Sequence, residues 1–95
     1  MDKETILNYL KTHKADFMQK YGTEKIALFG SFARGDNRDD SDIDIFVKMQ
    51  PDLFKMVELK EEIERDLKRE VDIVREHKYI KPFFLEMIKK DSIYV

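Results

Sequence analysis

The chain has 95 residues, of which 42% are apolar and 40% are charged, a balance typical of one small folded domain with a well-solvated surface. Its 18 basic and 20 acidic residues give a formal net charge of -2, so the composition does not directly imply nucleic acid or a membrane as a partner. Cysteine is absent, which excludes disulfides, zinc-thiolate sites and cysteine nucleophiles. The first residues, MDKETILNYLKTHK, lack an apolar signal core, and no stretch reaches the roughly 18–20 apolar residues of a membrane span. We therefore expect a cytoplasmic protein with a single domain over residues 1–95.

Apolar periodicity predicts helices and strands along the whole chain. The predicted elements, in order, are a helix over 3–20 that ends at Gly22, strands over 25–29 and 43–48, a helix over 53–69, a strand over 70–75, a helix over 82–90, and a final SIYV segment that suits a terminal strand or a docking tail. This order predicts an α+β fold with α/β-type alternation, in which helices flank a small mixed β-sheet. The unit over 43–75 is expected to be a right-handed crossover if its strands are parallel.

Two of the predicted helices carry patterns that the structure can test. In the helix over 53–69, apolar residues at helical spacing are expected to face the core; they are Leu53, Met56, Val57, Leu59, Ile63 and Leu67. On its outer face, Glu61–Arg65 and Glu64–Lys68 have the favourable i,i+4 order of a solvated surface. The helix over 82–90 has more apolar residues than one core-facing stripe needs, namely Phe83, Phe84, Leu85, Met87 and Ile88. They either all pack inside, partly under SIYV, or some of them meet a partner.

Two aspartates stand one residue apart at the start of the second strand, in the segment GSFARGDNRDDSDIDIFV. Because side chains alternate along a strand, Asp42 and Asp44 share one face, where their like charges repel each other. A bound cation, or a proton held on one carboxyl group, would relieve this repulsion. Mg²⁺ prefers carboxylate oxygens and usually completes its shell with water and phosphate. A pair of solvated acids at the end of a strand is the alternative that this spacing leaves open.

A calcium-binding loop would also explain acids at alternate positions. Asp40, Asp42 and Asp44 match its first, third and fifth ligands, but its sixth and twelfth positions require Gly and Glu. Ile45 and Pro51 stand at those positions, and an apolar strand follows instead of a helix. The sequence therefore disfavours calcium.

A third acid, Asp72, interrupts the apolar strand over 70–75. An aspartate in a buried strand is costly unless it is paired, hydrogen-bonded or bound to a metal, although an aspartate at a sheet edge can simply face water. If the strands over 43–48 and 70–75 are neighbours, Asp72 can converge with Asp42 and Asp44. Three carboxylates could then hold two divalent ions roughly 3.5–4 Å apart, as in an in-line displacement at phosphorus.

A Gly-Ser pair, Gly30–Ser31, follows the first strand and precedes a short helical turn, FAR. Glycine lets a phosphate approach the backbone, the free N–H groups of a helix start suit phosphate oxygens, and the serine hydroxyl adds a donor. An ordinary turn with a capping serine is the alternative. The segment contains neither GxxxxGK nor GxGxxG. Arg34 is a candidate either for binding the phosphates or for supporting the loop.

The sequence resembles the motif of the DNA polymerase β-like nucleotidyltransferase superfamily. That motif consists of Gly-Ser, a spacer, Asp-x-Asp and a later Asp on another strand, and it stands here as GSFARG, DNRDDS, DID and the later VDIV. The resemblance covers nearly the whole chain and agrees with the order of its elements. It is closest to the minimal nucleotidyltransferases, the MntA-like antitoxins. It implies the polymerase β-like nucleotidyltransferase fold.

The resemblance also implies roles for residues of this chain. Gly30 and Ser31 would hold the triphosphate of ATP, Asp42 and Asp44 would bind two Mg²⁺ ions, and Asp72 would hold the ion that activates the acceptor hydroxyl. Minimal members typically pair with a HEPN-domain toxin in prokaryotic toxin–antitoxin modules. There the nucleotidyltransferase is the antitoxin, and members of the family transfer AMP from ATP to a tyrosine of the toxin.

Two other functions compete with this protein adenylyltransferase. The chain could be an antitoxin that neutralises its partner by binding alone, with a vestigial acidic site. It could instead be a stand-alone nucleotidyltransferase that acts on a small molecule or an RNA end. A sugar-nucleotide transferase also uses Asp-x-Asp with a divalent metal, but the preceding Gly-Ser pair and the small size argue against it.

Overall fold

A computed structural model describes residues Met1–Val95 and contains four helices and four strands. In chain order they are α1 Lys3–Tyr21, β1 Lys25–Phe29, α2 Gly30–Arg34, β2 Ile43–Lys48, α3 Leu53–Leu67, β3 Val71–Arg75, α4 Pro82–Asp91 and β4 Ile93–Tyr94. Every predicted helix and strand is confirmed, and the SIYV segment contributes the short strand β4. None of the helices combines the length and the apolar character that crossing a membrane requires.

The four strands form one mixed sheet in the order β3-β2-β1-β4. Strand β1 is antiparallel to both β2 and β4, whereas β2 and β3 are parallel and are connected by α3. The mixed sheet flanked by helices confirms the predicted α+β class. Strand β3 lies at one edge of the sheet, so one side of its backbone has no neighbouring strand.

The main core lies on the face of the sheet that α1 and α3 cover. Strand residues that alternate toward this face are completely or almost completely buried; they are Ile26, Leu28, Ile43, Ile45, Val47 and Val71. Helix residues at i, i+3, i+4 and i+7 spacings meet them; they are Ile6, Leu10, Phe17, Leu59 and Ile63. Asp2 and Asp52 cap α1 and α3 by accepting N–H groups of their first turns, and Gly22 ends α1 as the sequence predicts.

The opposite face of the sheet carries a smaller apolar cluster and the candidate site residues. Ala27 and Phe46 pack here against Ile88 of α4. Because side chains alternate, Asp44 points to the same face as Phe46, and Asp72 to the same face as Val74 of that cluster. The sheet therefore separates the main core from the acidic side chains.

The predicted apolar stripe of α3 is wrong at its beginning. Leu59 and Ile63 are fully buried, but Leu53 is 71% exposed and Val57 is 43% exposed. The first turns of α3 lie beside β3, and because β3 is the edge strand, no further strand covers them. Neither predicted pair of α3 forms an ion pair. Glu64 contacts Lys60 at 3.5 Å and accepts the backbone N–H of Val71 at 3.0 Å, and Arg65 lies 3.9 Å from Asp66.

Helix α4 is only partly covered by the rest of the chain. Ile88 is buried and Leu85 is partly buried, whereas Phe83, Phe84 and Met87 are 75%, 47% and 52% exposed. The alternative in which all five apolar residues pack inside is therefore wrong. Three large apolar side chains remain free to meet another molecule.

Candidate active site

Three elements place the candidate residues at one end of the sheet. Strand β1 ends at Phe29, whose register partner is Asp44 near the start of β2. Helix α2 begins at Gly30, directly after β1. On its other side, Asp44 is the register partner of Asp72, near the start of β3. The structure thus brings together the Gly-Ser turn and the acids that the sequence predicted from two distant segments.

Gly30 lies in direct contact with the carboxylate of Asp44. Its φ of +77° is in the left-handed region that favours glycine. A Cβ at this position would overlap Oδ2 of Asp44 and would lie only 3.0 Å from its Cγ. Glycine is therefore needed here for two reasons, the backbone conformation and the space that Asp44 occupies.

The charge of Asp44 is opposed by its surroundings. Partial burial raises the pKa of this carboxyl group to about 6, and the negative charges of Asp72 and Asp42 add to the effect. The positive charge of Arg34 acts in the opposite direction but does not cancel it. Asp44 is therefore repelled by both neighbouring carboxylates, and a cation beside it would favour its charged form.

The three carboxylates also have oxygen atoms available for a ligand. The side chains of Asp42, Asp44 and Asp72 form no hydrogen bond and no ion pair within the chain. None of their oxygen atoms is a buried atom that lacks a hydrogen-bond partner. No group of three or more histidine or acidic side chains is arranged so that it could hold a metal ion, so Asp42, Asp44 and Asp72 do not form a preassembled three-carboxylate metal site. This arrangement fits Mg²⁺, which is commonly held by one or two carboxylates together with water and substrate phosphates.

Ser31 belongs to helix α2 and does not cap it. The N-cap position is Phe29, which makes no side-chain capping bond, so the alternative of a capping serine is wrong. The Ser31 carbonyl accepts the N–H groups of Gly35 at 2.9 Å and Asp36 at 3.1 Å, which closes the turn after α2. Its hydroxyl makes no hydrogen bond within the chain and is available to a ligand next to Gly30.

Arg34 is engaged by two carboxylates of the chain. Its Nε donates to Asp36 Oδ2 at 3.1 Å, and its Nη1 donates to Asp91 Oδ2 at 2.7 Å. The bond to Asp91 connects the end of α2 to the end of α4, so the supporting role of Arg34 has direct contacts. A role in phosphate binding stays a prediction.

Arg69 is a further residue near the site, and sequence reasoning missed it. Its Nη1 donates to the carbonyl oxygens of Asp39 at 2.9 Å and Ser41 at 3.1 Å, and its guanidinium lies 5.4 Å from the ring centroid of Phe32. Arg69 therefore holds the charged loop that leads into Asp42. Nothing local in the sequence indicates this role, because the residues that it contacts are 28–37 positions away.

Two clefts border the acids from the side of Arg69. One has a volume of about 610 Å³ and includes Asp72, Lys60 and Lys68 in its lining. The other has a volume of about 300 Å³ and includes Asp42 and Lys68. Both clefts are lined by acidic as well as basic side chains, and neither includes Gly30, Ser31 or Asp44.

Comparison with known proteins identifies the family. The sequence profile of the family described as "Polymerase beta, Nucleotidyltransferase" matches residues 4–95. The chain belongs to the polymerase β nucleotidyltransferase family. The fold, the nucleotidyltransferase class and the family resemblance predicted from the motif are thereby confirmed.

Relatives of this nucleotidyltransferase specify the family more closely. The protein adenylyltransferase MntA of Thermococcus cleftensis is 34% identical over 94 residues, which cover 97% of this chain and 94% of the relative. A solved structure assigned as a minimal nucleotidyltransferase has a TM-score of 0.81 and 32% identity, and it covers 98% of this chain and 95% of that chain. The chain is thus an MntA-like nucleotidyltransferase.

A more distant structural neighbour shows a likeness in the fold alone. It belongs to a complex of a tri-AMPylated HEPN toxin of Shewanella oneidensis with an MNT antitoxin. The TM-score is 0.68 at 21% identity, and the match covers 97% of this chain and 70% of that chain. This likeness establishes that the four-stranded sheet and its helices are those of the nucleotidyltransferase fold.

Proposed function

We propose that this chain is a Mg²⁺-dependent protein adenylyltransferase that transfers AMP from ATP to a tyrosine of a HEPN-domain toxin and acts as the antitoxin of that pair. The observation that carries the proposal is the position of Asp44. It lies against Gly30, opposite Asp72 and close enough to Asp42 to be affected by its charge, which supports one surface for the proposed phosphate-binding and metal-binding residues.

Each candidate residue has a role that matches its position. Asp42 and Asp44 would hold Mg²⁺, which when bound supplies positive charge at the phosphate oxygens. Gly30 and the Ser31 hydroxyl would receive the triphosphate of ATP at the start of α2. Asp72, which is exposed on the edge strand, would complete the metal-binding set and face the acceptor.

The proposed transfer forms one bond and breaks one. The tyrosine oxygen attacks the α-phosphorus of ATP in line with the bond to the bridging oxygen, and pyrophosphate leaves with that bond's electrons. The phenolic proton passes to the Asp72 carboxylate and from there to water, because this side chain faces solvent beside the acceptor. Holding both reactants at one edge of a rigid sheet provides the orientation that this displacement requires.

The relatives support the acceptor class. The Thermococcus cleftensis protein is named a protein adenylyltransferase, and the structural neighbour was solved beside an AMPylated HEPN toxin. Residues 1–95 would act as one catalytic domain, since one main core joins α1, α3 and the sheet. The cytoplasmic location predicted from the sequence stays a prediction.

The test is transfer of label from α-³²P-ATP. The protein is incubated with Mg²⁺, labelled ATP and the HEPN-domain protein encoded beside it, and the label is mapped by mass spectrometry. We expect label on a tyrosine of the partner, and we expect Asp42→Asn and Asp44→Asn to abolish it. Asp40→Asn in the exposed loop is the control and should leave it unchanged. The absence of label with the wild-type protein, under conditions in which ATP and Mg²⁺ bind, would contradict the proposal.

Neutralisation by binding alone is the second candidate, and the exposed apolar residues of α4 favour it. Phe83, Phe84 and Met87 offer a contact surface that does not depend on the acids. Cells that express the toxin together with Asp44→Asn distinguish the two functions. Survival that depends on Asp44 supports catalysis, whereas full protection by the variant supports binding alone.

A further inference from the structure

The outer edge of β3 carries backbone groups that no strand pairs. The Glu70 carbonyl accepts the N–H of Ile43 at 2.9 Å and the Glu76 N–H donates to the Val47 carbonyl at 2.7 Å, so both residues point toward β2. Because the backbone direction alternates along a strand, residues 71, 73 and 75 point to the open edge. The N–H of Val71 is taken by Glu64, but the N–H groups of residues 73 and 75 are free of backbone partners.

An apolar hollow lies beside this open edge. Its volume is about 220 Å³, and its lining includes Leu53 and Val57 of α3 together with Ile73 of β3. Leu53 is 71% exposed and Val57 is 43% exposed, although both belong to the apolar stripe of α3. An open strand edge flanked by exposed apolar side chains is a surface to which another extended chain can pair.

Asp72 connects this surface to the proposed catalytic centre. It lines the apolar hollow and also the 610 Å³ cleft, and its register partner is Asp44. A chain that pairs with β3 would therefore pass directly beside Asp72. The opposite sheet edge, formed by the two-residue strand β4, has no comparable connection to the acids.

We propose that the acceptor protein presents its target hydroxyl on an extended segment that pairs with the outer edge of β3. The free N–H groups of Ile73 and Arg75 bind carbonyl oxygens of that segment, and one of its apolar side chains enters the hollow beside Leu53 and Val57. The segment thereby delivers the hydroxyl to Asp72. This proposal rests on the proposed adenylyltransferase function and specifies how that enzyme recognises its protein substrate.

A peptide chain fits this surface better than the nucleotide does. Free N–H groups two residues apart, with an apolar pocket beside them, match the repeat of an extended polypeptide. The triphosphate of ATP has its own proposed position at Gly30 and Ser31, on the other side of Asp44. A second copy of this chain could also pair through the edge, and the experiment separates that outcome.

Neutral substitutions in the hollow test the side-chain part of the proposal. The double variant Leu53→Gln, Val57→Gln retains helix-forming residues, and its control is Met18→Gln, which alters an apolar residue of α1 that is 52% exposed. We expect the hollow variant to raise the KM for the HEPN-domain acceptor at least tenfold, with the KM for ATP unchanged. The Met18→Gln control should stay within twofold. An unchanged acceptor KM in the hollow variant, or an equal rise in both variants, would overturn the proposal.

A second pair of variants tests the backbone part. Arg75→Pro removes an outward N–H that the β2 ladder does not use, and proline is tolerated at such a position of an edge strand. Arg75→Ala removes the side chain but keeps the N–H. We expect Arg75→Pro to raise the acceptor KM several times more than Arg75→Ala does, with both proteins folded by circular dichroism. Equal effects of the two substitutions would refute strand pairing.

Amide hydrogen exchange provides a readout that does not need catalysis. Addition of the HEPN-domain protein to wild type should slow exchange at Ile73 and Arg75. Unchanged exchange at these two residues would overturn the proposal. Exchange that is slowed equally when this chain alone is concentrated would also overturn it, and would indicate self-association through the same edge. Failure of the wild-type protein to label any acceptor instead contradicts the proposed function, so the two failures are distinguishable.

Discussion

Asp44 and Asp72 are register partners on the parallel strands β2 and β3, and both point to the face of the sheet that carries α4. Neighbouring strands lie about 4.8 Å apart, so the two carboxylates are held close together by the backbone itself. The sheet therefore fixes a repulsion that separate loops could relax. This repulsion is the physical basis for a site that is completed by a cation.

The contact between Gly30 and Asp44 predicts a specific effect of one methyl group. Gly30→Ala must adopt a left-handed conformation, which costs about 1–2 kcal/mol, and its Cβ would also displace the Asp44 carboxylate. We expect a loss of transferase activity of at least 100-fold together with reduced stability. Steady-state labelling and urea unfolding measure the two effects separately.

Gly22→Ala is the matched control for this substitution. Gly22 has a φ of +74°, but a Cβ there would meet no atom within 4 Å. Its variant should therefore show the conformational cost in the free energy of unfolding and should keep nearly normal activity. Equal losses of activity in the two variants would mean that the Gly30 contact with Asp44 has no functional role.

The raised pKa of Asp44 predicts how stability depends on pH when no divalent ion is present. Because the pKa of about 6 in the folded protein exceeds the ordinary value of 3.8, the folded state binds the proton more tightly than the unfolded state does. The contribution of Asp44 to the free energy of unfolding therefore falls as pH rises from about 4 to about 6. Asp44→Asn should remove this contribution and become more stable, relative to wild type, across that range.

Urea unfolding in EDTA between pH 4 and pH 7.5 measures this difference. Asp40→Asn, in the exposed loop before β2, serves as the control for loss of one negative charge. Its curve should run parallel to that of wild type. A constant difference between wild type and Asp44→Asn at all pH values would contradict the raised pKa.

The same carboxylates predict that Mg²⁺ stabilises the folded protein. A ligand that binds only the folded state adds about 2.7 kcal/mol at a concentration of 100 times its Kd. We expect Mg²⁺ to raise the melting temperature of wild type more at pH 7 than at pH 5, because protons compete for Asp44. In the variants Asp42→Asn and Asp44→Asn, Mg²⁺ should change the melting temperature only as much as KCl does at equal ionic strength. A similar Mg²⁺ response in these variants would place the ion elsewhere.

Local patterns in the sequence were sufficient to predict the elements. The strand–helix–strand order made β3 a candidate neighbour of β2, and in the structure Asp72 is the register partner of Asp44, whereas Asp42 precedes β2. The exposure of Leu53 and Val57 could not be predicted in the same way. It follows from the position of β3 at the sheet edge, and strand order is a property of the whole fold.

Ion pairs between distant segments were equally inaccessible to sequence reasoning. Glu62 belongs to the charged run of α3, yet it is buried and accepts hydrogen bonds from Lys20 at 2.6 Å and Tyr21 at 2.5 Å. Its partners lie more than 40 positions earlier, on α1. Only the packing of α1 against α3 brings these side chains together, so no spacing rule within one helix predicts the contact.

The contact between Arg34 and Asp91 allows the two roles of Arg34 to be separated. If Arg34 mainly positions α2, then Arg34→Ala and Asp91→Asn remove the same connection between α2 and α4. We expect both substitutions to raise the KM for ATP by a similar factor of about 3–10. The double variant should have a KM for ATP no higher than either single variant, because the effects of residues that act as one unit are not additive. If Arg34 instead binds phosphate directly, Asp91→Asn should free the guanidinium and leave the KM for ATP unchanged or lower, while Arg34→Ala should still raise it. Asp36→Asn completes the comparison, since Asp36 contacts the same guanidinium at 3.1 Å without involving α4.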